Sequence, residues 1–368
     1  MTRYSLCLAT SEDDAQLRQR MALDPIEGVA AITLRREPSY FGASRLLGAS
    51  VQVIVARDVS TGRIVATGCR SVANAYIDGC PRRTAFLSDL RIDPDHRNGF
   101  LLARIYRYVR TLHDADPLPC YTLIYDDNQR ALRNLLGGRA GLPHYVPSGR
   151  VIARAIRLTH RRTAPSMPGV DVGRATHDAL PELVRFVNAR RASRRWAPQL
   201  DLSDFEPGRR CDTLRAEDFF VARRGGQICA TMAVWNQSSL RQAHVERYAR
   251  STRLVRIPYN LMASTRGWPT LPARGKPLPY VYLAFIAAQD DDPSLCAMLL
   301  AHAYNSLCGK AYLYALAALH DDDPLLSAFG DYRGTTSAVR LFEVDFAREA
   351  GFGNTASPQR ACVEFALT

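Results

Sequence analysis

A short basic segment that contains a glycine and opens a predicted helix is the clearest candidate for chemistry in this sequence. It reads Arg97-Asn98-Gly99 and follows an apolar strand predicted over residues 84–92. The helix predicted over 99–113 carries an apolar stripe at helical spacing. The first amides of a helix have no partner within the helix, and the positive end of its dipole lies there. The segment therefore indicates a site for an anion, such as the phosphates of a cofactor.

Strands and helices alternate around this segment. Before it, the pattern predicts a strand over 4–10, helices over 12–22 and 31–47, and a hairpin of strands 51–57 and 63–72. After it come a strand over 121–125 and a helix up to Leu136 that Asp127-Asn128 can cap. Within strand 84–92, alternation places Phe86, Ser88, Leu90 and Ile92 on one face, and Leu87, Asp89 and Arg91 on the other.

The second half of the chain repeats this order of elements. Residues 159–168 are polar, carry two prolines and read as a linker. Beyond them the sequence again predicts a strand, a helix, a hairpin, a long strand over 279–288, and a helix after Gln289-Asp-Asp-Asp-Pro293. The repeat predicts two copies of one α/β unit.

Composition restricts the class of protein. The chain has 368 residues, of which 47% are hydrophobic and 23% charged, as in soluble globular proteins. No apolar run approaches the length of a membrane span, so no membrane partner is expected. The first residues turn acidic too early for a secretory signal, and a cytoplasmic location is expected. The nine cysteines form no CxxC pair, so the sequence predicts neither a metal site nor a disulfide framework.

Arginine supplies almost all of the positive charge behind the net charge of +12. The densest cluster comprises Arg190, Arg191, Arg194 and Arg195, at the end of a predicted helix. A solvated helix end is the favoured interpretation, and a patch that faces an anion is the alternative.

Two motifs resemble those of the GNAT superfamily of acyltransferases. Arg97-Asn-Gly-Phe-Leu-Leu102 resembles the family signature Q/R-x-x-G-x-G/A, and Asn128-Gln-Arg-Ala131 resembles its N-x-x-A motif. The resemblance implies an α/β fold (α+β in some schemes) of two tandem GNAT-like domains. Each would be a mixed, mostly antiparallel sheet flanked by helices. The domains are expected over 1–158 and 169–368, joined by the linker.

The resemblance also implies a function and site residues. The co-substrate would be acetyl-CoA or another acyl-CoA, and the acceptor the amine of a small molecule. Leu90, Arg91 and Ile92 would bind the pantetheine arm. The rest of the acyl-CoA would be bound by the residues around the starts of the two helices, namely Arg97, Asn98, Gly99, Phe100, Leu101 and Asn128. Asp89 is the candidate base for the amine proton, and an ion pair with Arg91 or another nearby arginine is its alternative role.

The sequence departs from the family pattern at several positions. Phe100 and Leu102 stand where small residues are usual, and Leu135 stands where many members have a tyrosine acid. In the second half, three carboxylates over 290–292 replace the glycine loop. We expect them to repel a pyrophosphate. Calcium binding is an alternative role, but the twelve-residue loop pattern is absent, and capping of the helix that follows is favoured. The second half is thus expected to complete the acceptor pocket without binding CoA.

Two other functions remain open from the sequence. A non-catalytic acyl-CoA-binding protein would account for the degenerate signature. A Fem-like transferase that uses aminoacyl-tRNA would suit the basic charge. No heptad run predicts the coiled helical arm of that class, so a nucleic-acid partner is not expected.

Overall fold

The computed structural model describes residues 3–26, 30–97, 100–138, 141–346 and 359–368. The strands, numbered in chain order, are β1 (Tyr4–Leu8), β2 (Ala30–Arg35), β3 (Ser50–Asp58), β4 (Ile64–Ile77), β5 (Cys80–Ile92), β6 (Cys120–Tyr125), β7 (His144–Arg157), β8 (Val170–Arg174), β9 (Phe219–Arg224), β10 (Gln227–Trp235), β11 (Gln242–Tyr248), β12 (Tyr280–Ala288), β13 (Tyr314–His320) and β14 (Gly334–Asp345). The helices are α1 (Asp14–Ala22), α2 (Tyr40–Ser44), α3 (Leu101–Ala115), α4 (Gln129–Leu136), α5 (Leu180–Arg191), α6 (Arg250–Arg266) and α7 (Pro293–Leu307).

Twelve of the described strands form one continuous sheet. Their order is β1-β3-β4-β5-β6-β14-β7-β13-β12-β10-β9-β8. Within it only β5 with β6 and β12 with β13 pair in parallel. The sheet is therefore mixed and mostly antiparallel, as the resemblance implies.

The two halves of the chain exchange strands at the centre of this sheet. β14, from the second half, lies between β6 and β7 of the first half, and β7 also pairs with β13 of the second. Strands from both sides of the linker predicted over 159–168 therefore belong to the same sheet. The expected domain boundaries stay a prediction, but the strands of 1–158 and 169–368 do not form separate sheets.

Helices cover both faces of the sheet. α1, α2 and α5 pack on one face, where Leu17, Ala43 and Leu183 are buried. α3, α4 and α7 pack on the other face, where Ile105 and Leu299 are buried. Alternate residues of the strands point to these two layers, so most strands are buried on both sides.

No helix among the described residues has the length and apolar character needed to cross a membrane.

The helix predicted over 31–47 is wrong. Residues 30–35 form β2, which pairs with β11 in a separate two-stranded sheet, and only residues 40–44 are α-helical. Ile32 lies opposite Val245, and the Thr33 hydroxyl donates to Glu246 at 2.7 Å. The partner strand comes from more than 200 residues away, and local periodicity contains no information about such a partner.

The strand exchange leads to a prediction at Gly334, where β14 meets β7. A Cβ added to Gly334 would lie 2.0 Å from the carbonyl oxygen of Ala155. We therefore expect Gly334→Ala to lower the free energy of unfolding by about 1–3 kcal/mol, because backbone atoms cannot yield as a side chain can. Urea unfolding followed by circular dichroism measures the change.

The matched control is Gly173→Ala in β8 of the same sheet. A Cβ at Gly173 meets nothing within 4 Å, so we expect a change within about 0.5 kcal/mol. Equal stability of the two variants would contradict the close approach of β14 to β7.

Candidate functional site

A bulge in β5 defines the candidate site. In the pairing with β4, Thr67 lies opposite Arg91 and Cys69 opposite Ser88, so Gly68 faces two residues, Asp89 and Leu90. Asp89 has a φ of 53°, and its carbonyl accepts a hydrogen bond from the Thr67 hydroxyl at 3.0 Å. A bulge of this kind turns the strand and redirects the side chains that follow.

The bulge corrects the predicted faces of strand 84–92. Leu90 and Ile92 pack with Leu87 against α3, on the opposite face from Phe86. Alternation therefore holds up to Ser88 and fails beyond it, because the extra residue reverses the phase of the pattern.

β5 and β6 stop pairing at the bulge. Their register runs only from Ala85 opposite Cys120 to Leu87 opposite Thr122. Beyond that point β6 continues against β14 on its other side. We call the opening between residues 88–92 and 123–125 the first cleft. The edge of a strand that diverges from its neighbour can pair with an extended ligand.

The Asp89 carboxylate is held by two side chains from the segment before β3. Arg36 Nη2 lies 2.5 Å from Asp89 Oδ2, and the Tyr40 hydroxyl donates to the same oxygen at 3.1 Å. Arg36 Nη1 also donates to Ser44 at 2.9 Å. The alternative role predicted for Asp89, an ion pair with an arginine, is thus present, with Arg36 in place of Arg91. Oδ1 has no hydrogen-bond partner among the residues that the structure describes.

Burial governs the ionisation of the neighbours of Asp89. Burial opposes the charge on Arg36, but the Asp89 carboxylate outweighs it and raises the pKa of the guanidinium. Burial and the charge of Asp89 together raise the pKa of Tyr40 well above its usual value. Burial raises the pKa of the Cys69 thiol to about 12. Tyr40 and Cys69 are therefore neutral at physiological pH and unsuited to act as bases there.

The loop after β5 is tied back to the end of α1. Arg97 donates to the Ile92 carbonyl at 2.8 Å and to Asp24 at 3.2 Å. Arg91 donates to the Asp24 carbonyl at 3.2 Å, and Arg20 contacts both Asp24 and Asp93. These contacts fix the path of the chain from the bulge toward α3.

The remaining predicted cofactor residues lie at the starts of α3 and α4. Asn98 and Gly99 lie outside the described residues. Phe100 precedes α3 with 86% of its surface exposed, whereas Leu101 is buried in the core. Asn128 is exposed and caps α4, since its side chain accepts from the Ala131 amide at 3.1 Å. The structure therefore brings 88–92 and the start of α3 together along one chain path and gives Asn128 a capping role.

The second half repeats the bulge. Thr231 lies opposite Ala287 and Ala233 opposite Ala284, and the inserted Phe285 has a φ of 51°. The Thr231 hydroxyl donates to the Phe285 carbonyl at 2.9 Å, as Thr67 does to Asp89. β12 and β13 then stop pairing after Leu283 opposite Ala317. No sequence pattern indicates this equivalence, because Asp89 and Phe285 differ in chemistry and share only a backbone conformation.

The second cleft, between β12 and β13, is filled by the chain itself. Glu364 Oε2 accepts from the Phe285 amide at 2.7 Å and from Arg191 Nη2 at 2.6 Å. The guanidinium of Arg191 also lies 5.2 Å from the centre of the Phe285 ring. The cavity left around these groups measures about 20 Å³, room for about one water.

The arginines of this region correct two predictions. Arg194 lies 2.5 Å from both Asp291 and Asp323, and Arg195 contacts Glu343 at 2.8 Å. With the Arg191–Glu364 contact, three members of the cluster form ion pairs with little exposure, so neither a solvated helix end nor an anion-facing patch describes them.

The aspartates over 290–292 have separate partners. Asp291 contacts Arg194 and Arg360, and Asp292 caps α7 by accepting from the Ser294 amide at 2.8 Å. Capping is thus confirmed for Asp292. Two guanidinium groups balance the charge of Asp291, and the expected repulsion of a pyrophosphate stays a prediction.

One group of side chains has the composition of a metal site. His320, Asp321 and Asp322 bring their ligand atoms within 4.8 Å of one another. His320 Nδ1 already lies 2.6 Å from Asp322, and Arg150 and Arg360 each contact one of the two carboxylates at 3.2 Å. These contacts account for the cluster as hydrogen bonds and ion pairs.

Comparisons with known proteins bear on this geometry. Neither a scan of protein-family models nor a search of curated proteins finds a match. Solved structures do match. Saccharomyces cerevisiae N-myristoyltransferase with bound myristoyl-CoA is 11% identical, with a TM-score of 0.59, over 94% of this chain and 83% of that chain. A GCN5-related N-acetyltransferase from Sphaerobacter thermophilus is 11% identical, with a TM-score of 0.52, over 94% and 97%.

A third structure has the same arrangement within a larger protein. It is the GCN5-related glucosamine N-acetyltransferase region of a fungal multi-domain beta-N-acetylglucosaminidase, 12% identical with a TM-score of 0.58. The match covers 92% of this chain and 38% of that chain. At these identities the likeness concerns the fold. The predicted fold class is confirmed, and the chain has the tandem GNAT fold.

Proposed function

We propose that this chain is an acyl-CoA-dependent N-acyltransferase that transfers an acetyl or longer acyl group to the amine of a small acceptor. The observation that carries the proposal is the bulge at Asp89, which lies where β5 leaves β6 and shortly before α3 begins. One short stretch of chain thus offers a strand edge that β6 leaves unpaired, a candidate base and a helix N-terminus. The solved structures with this fold include an N-myristoyltransferase with bound myristoyl-CoA.

The donor would bind along this stretch. The backbone of Leu90, Arg91 and Ile92 would pair with the pantetheine arm in the first cleft, as an added strand would. The first amides of α3, from Leu101 onward, would hold the pyrophosphate, because the positive end of a 15-residue helix favours an anion there. Arg91 and Arg97, tied to Asp24, would keep the two parts in line.

The chemistry would proceed in a ternary complex. The acceptor nitrogen would attack the thioester carbonyl, an amide would form, and the carbon–sulfur bond would break to release CoA. A backbone amide of the bulge would polarise the carbonyl. Asp89 Oδ1 would take the amine proton, because Arg36 and Tyr40 occupy Oδ2 and fix the direction of the carboxylate.

The second half would support this site without binding a donor of its own. Its bulge amide donates to the Glu364 carboxylate, at the place where the first half would hold a thioester carbonyl. A cavity for one water leaves no room for pantetheine.

A second function has one observation in its favour. Leu135, which replaces the tyrosine acid of many family members, lies on α4 with its side chain buried in the core. A protein that binds acyl-CoA without turnover would need no such acid. Release of free thiol from a panel of acyl-CoAs with small amines tests the proposal. Binding without release would establish the second function, and absence of binding would overturn both.

The start of α3 gives a prediction for donor binding. We expect Phe100→Glu to weaken acyl-CoA binding about tenfold or more, because a carboxylate at this exposed position repels the pyrophosphate. An acidic residue at a helix N-terminus does not harm the fold. Isothermal titration calorimetry measures the affinity, and Leu202→Glu, also at an exposed apolar residue, is the control that should bind normally. Equal affinities would place the pyrophosphate elsewhere.

Asp89 gives a prediction for the chemical step. We expect Asp89→Asn to lower kcat about 100-fold or more at little change in KM for the acyl-CoA, since an amide cannot accept the proton. Tyr40→Phe removes one contact to Oδ2 and leaves Oδ1 in place, so its loss should stay below about tenfold. Thiol release at several pH values, beside circular dichroism of both variants, gives the measurement. A folded Asp89→Asn variant with normal kcat would exclude Asp89 as the base.

The filled second cleft gives a prediction for stoichiometry. Calorimetric titration with acyl-CoA should show one molecule bound per chain, and Phe100→Glu should weaken that single site. A second site of comparable affinity that survives in Phe100→Glu would contradict the role of Glu364 as an occupant of the cleft.

A further inference from the structure

The outer face of α6 is apolar and exposed. Leu254, Ile257 and Leu261 have 79%, 76% and 71% of their surface exposed, and Val255 and Met262 lie beside them. Five of the twelve exposed large apolar side chains among the described residues belong to this one helix. At helical spacing these five share one arc of the surface, and contiguous apolar surface of this kind marks an interaction site.

The inner face of α6 is already satisfied. Ala263 is fully buried, and the Asn260 side chain exchanges two hydrogen bonds with the backbone of Leu271, at 2.8 and 3.0 Å. The Tyr259 hydroxyl donates to the Pro269 carbonyl at 3.3 Å. One side of the helix therefore packs on the protein, and its exposed apolar side chains contribute little buried surface to the fold.

The same segment is strongly basic. Between Glu246 and Asp290 the sequence has seven cationic residues and no carboxylate. Arg253 and Arg266 are exposed on the two borders of the apolar arc, and Arg250 is exposed at the N-terminal end of the helix. None of these three forms an ion pair within the described residues. An apolar arc bordered by free guanidinium groups is the pattern of a helix that lies in a membrane interface.

We propose that the outer face of α6 docks the protein on an anionic membrane surface. The apolar arc would enter the boundary between headgroups and acyl chains, and the flanking arginines would contact the anionic headgroups. Charge complementarity selects this occupant. A second copy of the chain would bring a second set of guanidinium groups to the same interface, where like charges repel. The helix would lie on the membrane without crossing it.

Sedimentation of the full-length protein with lipid vesicles tests the proposal. We expect co-sedimentation with vesicles of equal parts phosphatidylglycerol and phosphatidylcholine, and none with phosphatidylcholine alone. Raising the salt from about 0.1 M to about 1 M should weaken binding, because the Debye length falls from about 10 to about 3 Å.

Two sets of variants separate the apolar and the charged contributions. Leu254→Ser with Ile257→Ser and Leu261→Ser, and separately Arg250→Glu with Arg253→Glu, should each lower vesicle binding at least about fivefold. The matched controls, Val59→Ser with Leu202→Ser and Arg82→Glu with Arg209→Glu, change exposed residues elsewhere and should bind as the wild type does. Circular dichroism checks that every variant is folded.

Several outcomes would overturn the proposal. Equal binding to both kinds of vesicle, binding to neither, or binding that both α6 variants retain would each exclude an anionic membrane as the occupant. A dimer in wild-type protein that the triple serine variant abolishes, with no vesicle binding, would show that a second copy covers the face instead.

Discussion

The bulge in the long strand of each half is the constraint on which the rest of the structure depends. One inserted residue, Asp89 in β5 and Phe285 in β12, reverses the side-chain phase and ends pairing with the next parallel strand. In each half a threonine hydroxyl bonds the carbonyl of the inserted residue. Because this contact uses a side chain across the ladder, the bulge is held by the neighbouring strand and does not depend on a ligand.

The two copies of the bulge differ in what meets them. At Asp89 the side chain of the bulge itself contacts Arg36 and Tyr40. In the first cleft Arg97 donates to the Ile92 carbonyl, but no carboxylate of the described residues accepts from the bulge amides as Glu364 does in the second cleft. At Phe285 the residues over 359–368 enter, and Glu364 takes both the amide and Arg191. Removing that carboxylate would leave Arg191 charged and buried, at a cost of about 3–5 kcal/mol. One copy is thus committed to structure, which leaves the other available for a ligand.

The sequence predicted what local pattern encodes and missed what distant partners decide. The hairpin of β3 and β4, the strand β6 and the cap at Asn128 follow from alternation, turns and capping preferences, and all are present. The helix predicted over 31–47 is wrong because residues 30–35 pair with β11, and the local sequence contains no information about so distant a strand. The prediction of a solvated helix end fails for Arg191, Arg194 and Arg195. Their carboxylate partners are residues 291, 323, 343 and 364, which lie too far along the chain for a local pattern to indicate. A bulge has no sequence pattern of its own, so Asp89 could be chosen as a candidate but not placed.

The positive charge of the chain is not evenly neutralised. In the interior, arginines form ion pairs with carboxylates, as Arg36, Arg191 and Arg194 do. The segment between Glu246 and Asp290 has seven cationic residues and no carboxylate, so it contributes +7 to the net charge of +12. Three of them, Arg250, Arg253 and Arg266, form no ion pair within the described part of the chain, so the fold does not neutralise these three. Their position beside the apolar arc of α6 gives both features one physical cause, a partner that is negatively charged at its surface and apolar beneath it.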